Sequence, residues 1–137
     1  MKRFALLSVV ALMLASAVFA PVAMAQEFGD VDIQSVTLGP GGSLHVEGTI
    51  LCLQGHQYQI YLEARQTQGN QPVKSGSAYT DYLICQYSGL TPFSVDVYPA
   101  QGMKPFRKGE VVLSGSRYFC GYLICNNKQI GPEVFVV

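Results

Sequence analysis

From Leu44 to Gln66 the chain alternates between apolar and polar positions almost without a break. Leu44, Val46, Ile50 and Cys52 fall on one face, interrupted by Gly48, while His45, Glu47 and Thr49 take the other. After Gln54-Gly55, Tyr58, Ile60, Leu62 and Ala64 alternate with Gln57, Gln59, Glu63 and Arg65. A two-residue period with a polar opposite face predicts half-buried strands, and Gln54-Gly55 predicts a tight turn closing them into a hairpin. Phe93, Val95 and Val97 alternate with Ser94, Asp96 and Tyr98 in the same way.

Further strands are expected over 31–38, 78–86, 111–120 and 133–137. The stretch 73–77 reads as a short edge strand, with Lys74 and Gly76 discouraging edge-to-edge pairing. The facing of 78–86 stays open: Leu83 with Cys85, or Tyr82 with Ile84. Gly39-Pro40-Gly41-Gly42, the loop 68–72, Ser88-Gly89-Leu90-Thr91-Pro92, and Asn126-Asn127 with Gly131-Pro132 read as turns. Residues 99–109 read as a long loop, and Gln26 to Asp30 as a loose arm. No apolar spacing holds the helical pattern over three turns. About seven strands with turn signals roughly every eight to twelve residues predict an all-β, immunoglobulin-like Greek-key sandwich of antiparallel strands. A small closed barrel is the alternative.

One string occurs twice: Tyr82-Leu83-Ile84-Cys85 and Tyr122-Leu123-Ile124-Cys125. The flanks differ, so the recurrence reads as shared strand composition rather than as a repeat.

The first residues change what counts as fold. Lys2 and Arg3 precede an apolar run from Phe4 to Ala20, and Ala23-Met24-Ala25 supplies small residues at a cleavage site. This pattern predicts a signal peptide over 1–25 and a single domain over 26–137, exported to the cell exterior. No cysteine lies near the cleavage site to carry a lipid anchor, and no later apolar run is long enough to span a bilayer. The whole chain has nine basic and nine acidic residues. Lys2 and Arg3 leave with the leader, so seven basic residues face nine acidic ones, a formal −2. The densest basic cluster is Lys104, Arg107 and Lys108, which reads as a solvated loop rather than a nucleic-acid surface.

Four cysteines, Cys52, Cys85, Cys120 and Cys125, in an exported domain predict two disulfides, with three pairings open. A zinc site is the rival, but Cys52 and Cys85 have no ligand-like neighbours.

The residues Val46-Glu47-Gly48-Thr49-Ile50-Leu51-Cys52, then Gly55, the strand closing at Gln66, Cys85 followed by Pro92-Phe93, and Gly109-Glu110-Val111 resemble a group of secreted immunoglobulin-like domains from actinobacteria. The resemblance spans most of 44–137 and implies the fold and a bridge between Cys52 and Cys85. The spacing of Cys120 and Cys125 with Gly131-Pro132-Glu133 is similar to the C-terminal half of the neocarzinostatin-type apoproteins, which carry a reactive chromophore. Their other disulfide joins two cysteines close in sequence, which Cys52 does not match. In an immunoglobulin-like strand order Cys52 and Cys85 fall on neighbouring strands, and Cys120 reaches Cys125 across a bend. The rival map joins Cys52 to Cys120, like the inter-sheet bridge of antibody domains.

No catalytic constellation is legible. His45 is expected to point to solvent and His56 to be an ordinary surface histidine beside a turn. The carboxylates are scattered, and no EF-hand, phosphate loop, nucleophile elbow or zinc-protease motif occurs. The expectation is a chain that is not an enzyme and holds no metal or cofactor. Eight tyrosines and no tryptophan say more. Tyr61, Tyr98 and Tyr122 are expected on the outside, where tyrosine offers rigid contact area at low entropic cost. They are the candidate binding surface for an unidentified protein, glycan or cell-envelope component. An apolar small molecule carried in a cleft is the alternative ligand, and nucleic acid is not expected.

Overall fold

A computed structural model describes residues 26–67, 69–70 and 73–137. The expected leader, and part of the loop 68–72, lie outside the described residues.

Among the described residues, eight antiparallel strand segments form a two-layer sandwich. They are β1 (Val31–Leu38), β2 (Leu44–Cys52), β3 (Gln57–Gln66), β4 (Lys74–Tyr79), β5 (Leu83–Ile84), β6 (Gly89–Pro99), β7 (Glu110–Cys120) and β8 (Cys125–Val136). One layer is β1-β2-β6 and the other β4-β3-β7-β8, with β5 pairing on β3. The layers join where Gly76 and Ser77 of β4 pair with Pro99 and Tyr98 of β6. The close approach there requires glycine: a Cβ on Gly76 would lie 2.1 Å from the Tyr98 carbonyl oxygen. Three strands face four in Greek-key order, so the immunoglobulin-like sandwich expected from the pattern is the fold.

The alternation explains the core. Val46, Ile50, Phe93 and Val97 from one layer meet Ile60, Leu62, Ala64, Val111 and Leu113 from the other, all buried. Each buried aliphatic side chain of this kind contributes about 1.5–3 kcal/mol relative to an exposed one.

Several expectations need correction. The turn at Gln54-Gly55 does not close a hairpin. β2 pairs with β1 and β6, and β3 with β4, β5 and β7, so the turn carries the chain from one layer to the other. Alternation shows which face is buried, not which neighbour bonds the backbone.

β4 is no edge strand, because β3 and β6 flank it. Lys74 is buried opposite Gln66; the aliphatic stem of lysine tolerates such a place. The strand expected over 78–86 stops at Tyr79. Thr80 closes it: its N–H donates to the Ile60 carbonyl at 2.8 Å, and its Oγ1 accepts the Ile60 N–H at 2.9 Å. Its hydroxyl thus takes the place of a ladder carbonyl, and the chain turns away.

The expected turn at 88–92 belongs to β6, where Pro92 pairs opposite Thr49 on a stretch bordered on one side only, where a strand tolerates proline. The expected turn framed by Asn126-Asn127 and Gly131-Pro132 is likewise absorbed. β8 runs through it with a register shift between Leu113 and Gly115, on the edge of its sheet.

Gln26 to Asp30 is not a loose arm. The Gly29 N–H donates to Leu51 O at 2.6 Å, the Leu51 N–H donates to Asp30 O at 3.0 Å, and Arg117 Nε donates to Gly29 O at 2.5 Å. Arg117 is buried. Its guanidinium also donates to Asn126 Oδ1 and lies 5.6 Å from the centre of the Phe119 ring. Burial lowers its pKa, yet arginine stays charged there.

Both disulfides form: Cys52–Cys85 and Cys120–Cys125. Cys52–Cys85 does not join neighbouring strands of one sheet, as an immunoglobulin-like order predicts. Cys85 follows β5, which hangs on β3, whereas Cys52 ends β2. The bridge therefore links the two layers rather than neighbouring strands of one sheet. Two disulfides suit an oxidising compartment.

Candidate functional site

The site lies at one end of the sandwich, where several strand ends converge. Register places them there: Val31 pairs with Ile50 and Gly89 with Cys52, while Gln57 pairs with Ile84 on one flank and Cys120 on the other. The ends of β2 and β7, and the starts of β1, β3, β6 and β8, thus share one rim with the short β5.

Two tips on this rim, 82–84 and 122–124, are fastened by backbone bonds and a disulfide, and their Tyr, Leu and Ile side chains are exposed. Cys120 pairs in register with Cys125 and is bonded to it, and the Gly121 N–H donates to Ile124 O at 3.0 Å. The hairpin tip is thus fixed with Leu123 96% and Ile124 72% exposed. The Gly55 N–H donates to Cys85 O at 2.9 Å, and the Cys85 N–H donates to His56 O at 2.8 Å. These bonds clamp the segment carrying the exposed Tyr82, Leu83 and Ile84. Phe28, on the arm, and Tyr87 are exposed nearby.

The recurring Tyr-Leu-Ile-Cys string is thus not strand composition. In both copies the cysteine is fastened in a disulfide while Tyr, Leu and Ile face outward at the same end. Three apolar residues in succession were visible in the sequence, but Val111-Val112-Leu113 makes the same run inside β7, so the run alone does not mark an exposed tip.

His56 is buried, not a surface residue. Its ring meets Phe28, Phe119 and Tyr122 at centroid distances of 5.8, 5.1 and 4.5 Å, each edge-on. Nδ1 accepts the Leu53 N–H at 3.1 Å, so in the neutral ring the proton sits on Nε2, beside Gly121. The Tyr122 hydroxyl donates to Gln54 O. An open apolar depression of about 300 Å³ lies over this histidine, lined by Phe28, Phe119, Tyr122, Leu123 and Ile124 among others.

The rim carries little charge. Asp81 is the one ionisable side chain that could carry a full charge at neutral pH in the stretches 81–90 and 119–126. To the side, Lys128 Nζ lies 2.6 Å from Asp30 Oδ1. Burial works against the Asp30 carboxylate, but the Lys128 hydrogen bond, the Glu27 N–H and the nearby positive charges outweigh it and lower its pKa.

Of the three candidate tyrosines, Tyr122 belongs to this end. Tyr98, exposed near the end of β6, and Tyr61, half-buried on β3, lie elsewhere. Tyr61 packs against Tyr79 with centroids 4.4 Å apart and planes tilted by 34°, and it donates its hydroxyl to Glu63, which raises its pKa. Among the described residues no group of three or more His, Cys, Asp or Glu side chains is placed to hold a metal ion. His45 is half-exposed and hydrogen-bonds Asp96 at 2.6 Å through Nδ1.

No protein-family model matches the chain, and neither a curated protein nor a solved structure does.

Proposed function

We propose that this is a secreted binding module that docks, without chemistry of its own, onto an apolar surface of a partner protein through the end bearing the two Tyr-Leu-Ile tips. One observation carries the reading: Leu123, Ile124, Ile84, Tyr82, Tyr122 and Phe28 gather in the open at a single end, on backbone pinned by two disulfides and, at Phe28, by the hydrogen-bonded arm. Single exposed apolar residues are ordinary on a protein surface; a contiguous group marks an interaction site. Pinning the tips in advance lowers the entropic cost of docking. The tips carry no lysine or arginine to attract anionic lipid.

The test is a photo-crosslinking residue at position 123 in the protein expressed in its own host, with the same residue at the exposed Thr37 as control. A partner adduct formed from position 123 and lost on Ile84→Ser supports the reading. Identical adducts from both positions would sink it.

A second reading has its own support. The depression over His56 is large enough and apolar enough to seat a small apolar ligand, which favours a carrier. Native mass spectrometry of protein from its host separates the two. A retained mass that Tyr122→Ala releases indicates a carrier, and bare protein indicates docking.

A further inference from the structure

The outer face of β4-β3-β7-β8 carries two adjacent rows of side chains that the docking end does not use. Register fixes both. In the first, Gln129 pairs with Ser116, Ser116 with Tyr61, and Tyr61 with Tyr79. In the second, Ser114 pairs with Glu63, Glu63 with Ser77, and Ser77 with Tyr98 of β6. Alternation puts Tyr61 with Glu63, Ser114 with Ser116, and Ser77 with Tyr79 on the same face.

The rows border an open groove. A hollow of about 320 Å³ is lined by Tyr61, Glu63, Ser114, Ser116, Gln129 and Pro132. A second, of about 150 Å³, lies on the other flank of Glu63 against Arg65, Ser75 and Ser77. Glu63 borders both, so the two hollows lie side by side across the strands as a trough divided at Glu63, with Tyr79 beside Tyr61 at its margin. Four strands at about 4.8 Å spacing give it a length of roughly 15–20 Å. The trough suits an extended ligand laid across the sheet rather than a compact one sealed in a cavity.

We infer that this trough binds a neutral oligosaccharide, with Tyr61 and Tyr79 as its stacking platform and Glu63, Ser114, Ser116 and Gln129 as partners for sugar hydroxyls. A sugar ring is apolar on its C–H faces and polar at its edge. The trough pairs adjoining aromatic rings with hydroxyls, an amide and a carboxylate, which matches both parts. Tyr61 and Tyr79 already pack ring against ring, their planes tilted by 34°, and the Tyr61 hydroxyl is held by Glu63. The platform is therefore ordered before a ligand arrives. Charge excludes the acidic glycans: the two rows contain one carboxylate and no lysine or arginine, and among the described residues Arg65 at the margin is the one cation lining either hollow.

The test is calorimetric titration of the oxidised protein with neutral tetrasaccharides of glucose, N-acetylglucosamine and mannose, with a heparin tetrasaccharide and a hydrophobic heptapeptide as controls. At least one neutral series should bind. Tyr61→Ala and Glu63→Gln should each weaken it about tenfold or more, a loss of about 1.4 kcal/mol. Glu63 is exposed, so Glu63→Gln keeps the fold intact if Tyr61→Ala does not. Leu123→Ser should leave sugar binding unchanged, which separates this site from the docking end. Silence from every neutral sugar, stronger binding of heparin or the peptide, or titrations unmoved by Glu63→Gln would overturn the assignment.

Discussion

Gln66 holds the backbone of Arg107 with both ends of its amide. Oε1 accepts the Arg107 N–H at 2.9 Å, and Nε2 donates to the Arg107 carbonyl at 2.6 Å. Gln66 is wholly buried, and the neighbouring Phe106 is in the core although it lies on an irregular loop. The pair does for the 100–109 loop what a ladder does for a strand.

Gln66→Leu should therefore cost about 1–3 kcal/mol, because it leaves the Arg107 N–H and carbonyl without partners. Urea denaturation measures the loss, and amide exchange at Phe106 and Arg107 should quicken with it. A variant as stable as the parent would mean that the loop is held by other contacts.

The two disulfides should contribute unequally. Cys52–Cys85 spans 33 positions and Cys120–Cys125 spans 5. Constraint of the unfolded chain gives about 4 kcal/mol for the first and about 2 kcal/mol for the second. Replacing the first pair with alanine should lower the melting temperature more than replacing the second. The reverse order, read by calorimetry, would contradict this.

His45 makes stability depend on pH. Its hydrogen bond to Asp96, helped by the charges of Asp96 and Glu47, raises its pKa above the ordinary 6.5. The folded state binds the proton more tightly, so the stabilisation is complete below 6.5 and is lost as pH rises through the raised value. Asp30 has the opposite sign. Its lowered pKa gives stability that is present above 3.8 and lost as pH falls through the folded value. Denaturation curves for His45→Gln should be flatter than the parent's on the alkaline side of pH 6.5 and parallel to them in acid.

The exposed tips should be dispensable for folding. Leu123→Ser with Ile84→Ser should stay within about 0.5 kcal/mol of the parent, as surface changes do. Retention on a hydrophobic-interaction column should fall. Unchanged retention would show that these side chains do not form the dominant apolar surface.

What the sequence made legible follows from what alternation encodes. The bounds of β1, β2 and β3, and the faces of β2, β3 and β6, could be read directly, because a half-buried strand writes its burial into every second residue. Pairing was not legible. The same alternation at Leu44–Cys52 and Gln57–Gln66 fits a hairpin or a crossing between layers, and only the finished packing decides. His56 was misread because its local sequence is a turn, and its burial comes from Phe28 and Phe119, distant in the chain. The two Tyr-Leu-Ile strings were visible, but their shared place depends on the two disulfides and on Gln57 lying between Ile84 and Cys120.

The Cys52–Cys85 bridge also bears on the order of assembly. β2 and β6 pair across a long intervening stretch that contains all of β3 and β4. Bringing them together from an open chain carries a loop-closure penalty before any contact repays it, which slows folding in β-rich topologies. Once Cys52 is bonded to Cys85, the start of β6 is tethered beside the end of β2, where Gly89 meets Cys52. The remaining rungs can then close one after another from that end toward Leu44 and Val97, like a zipper whose slider is already engaged. Oxidation would thus set the direction in which this layer assembles, and the reduced chain would have to find the same register by diffusion.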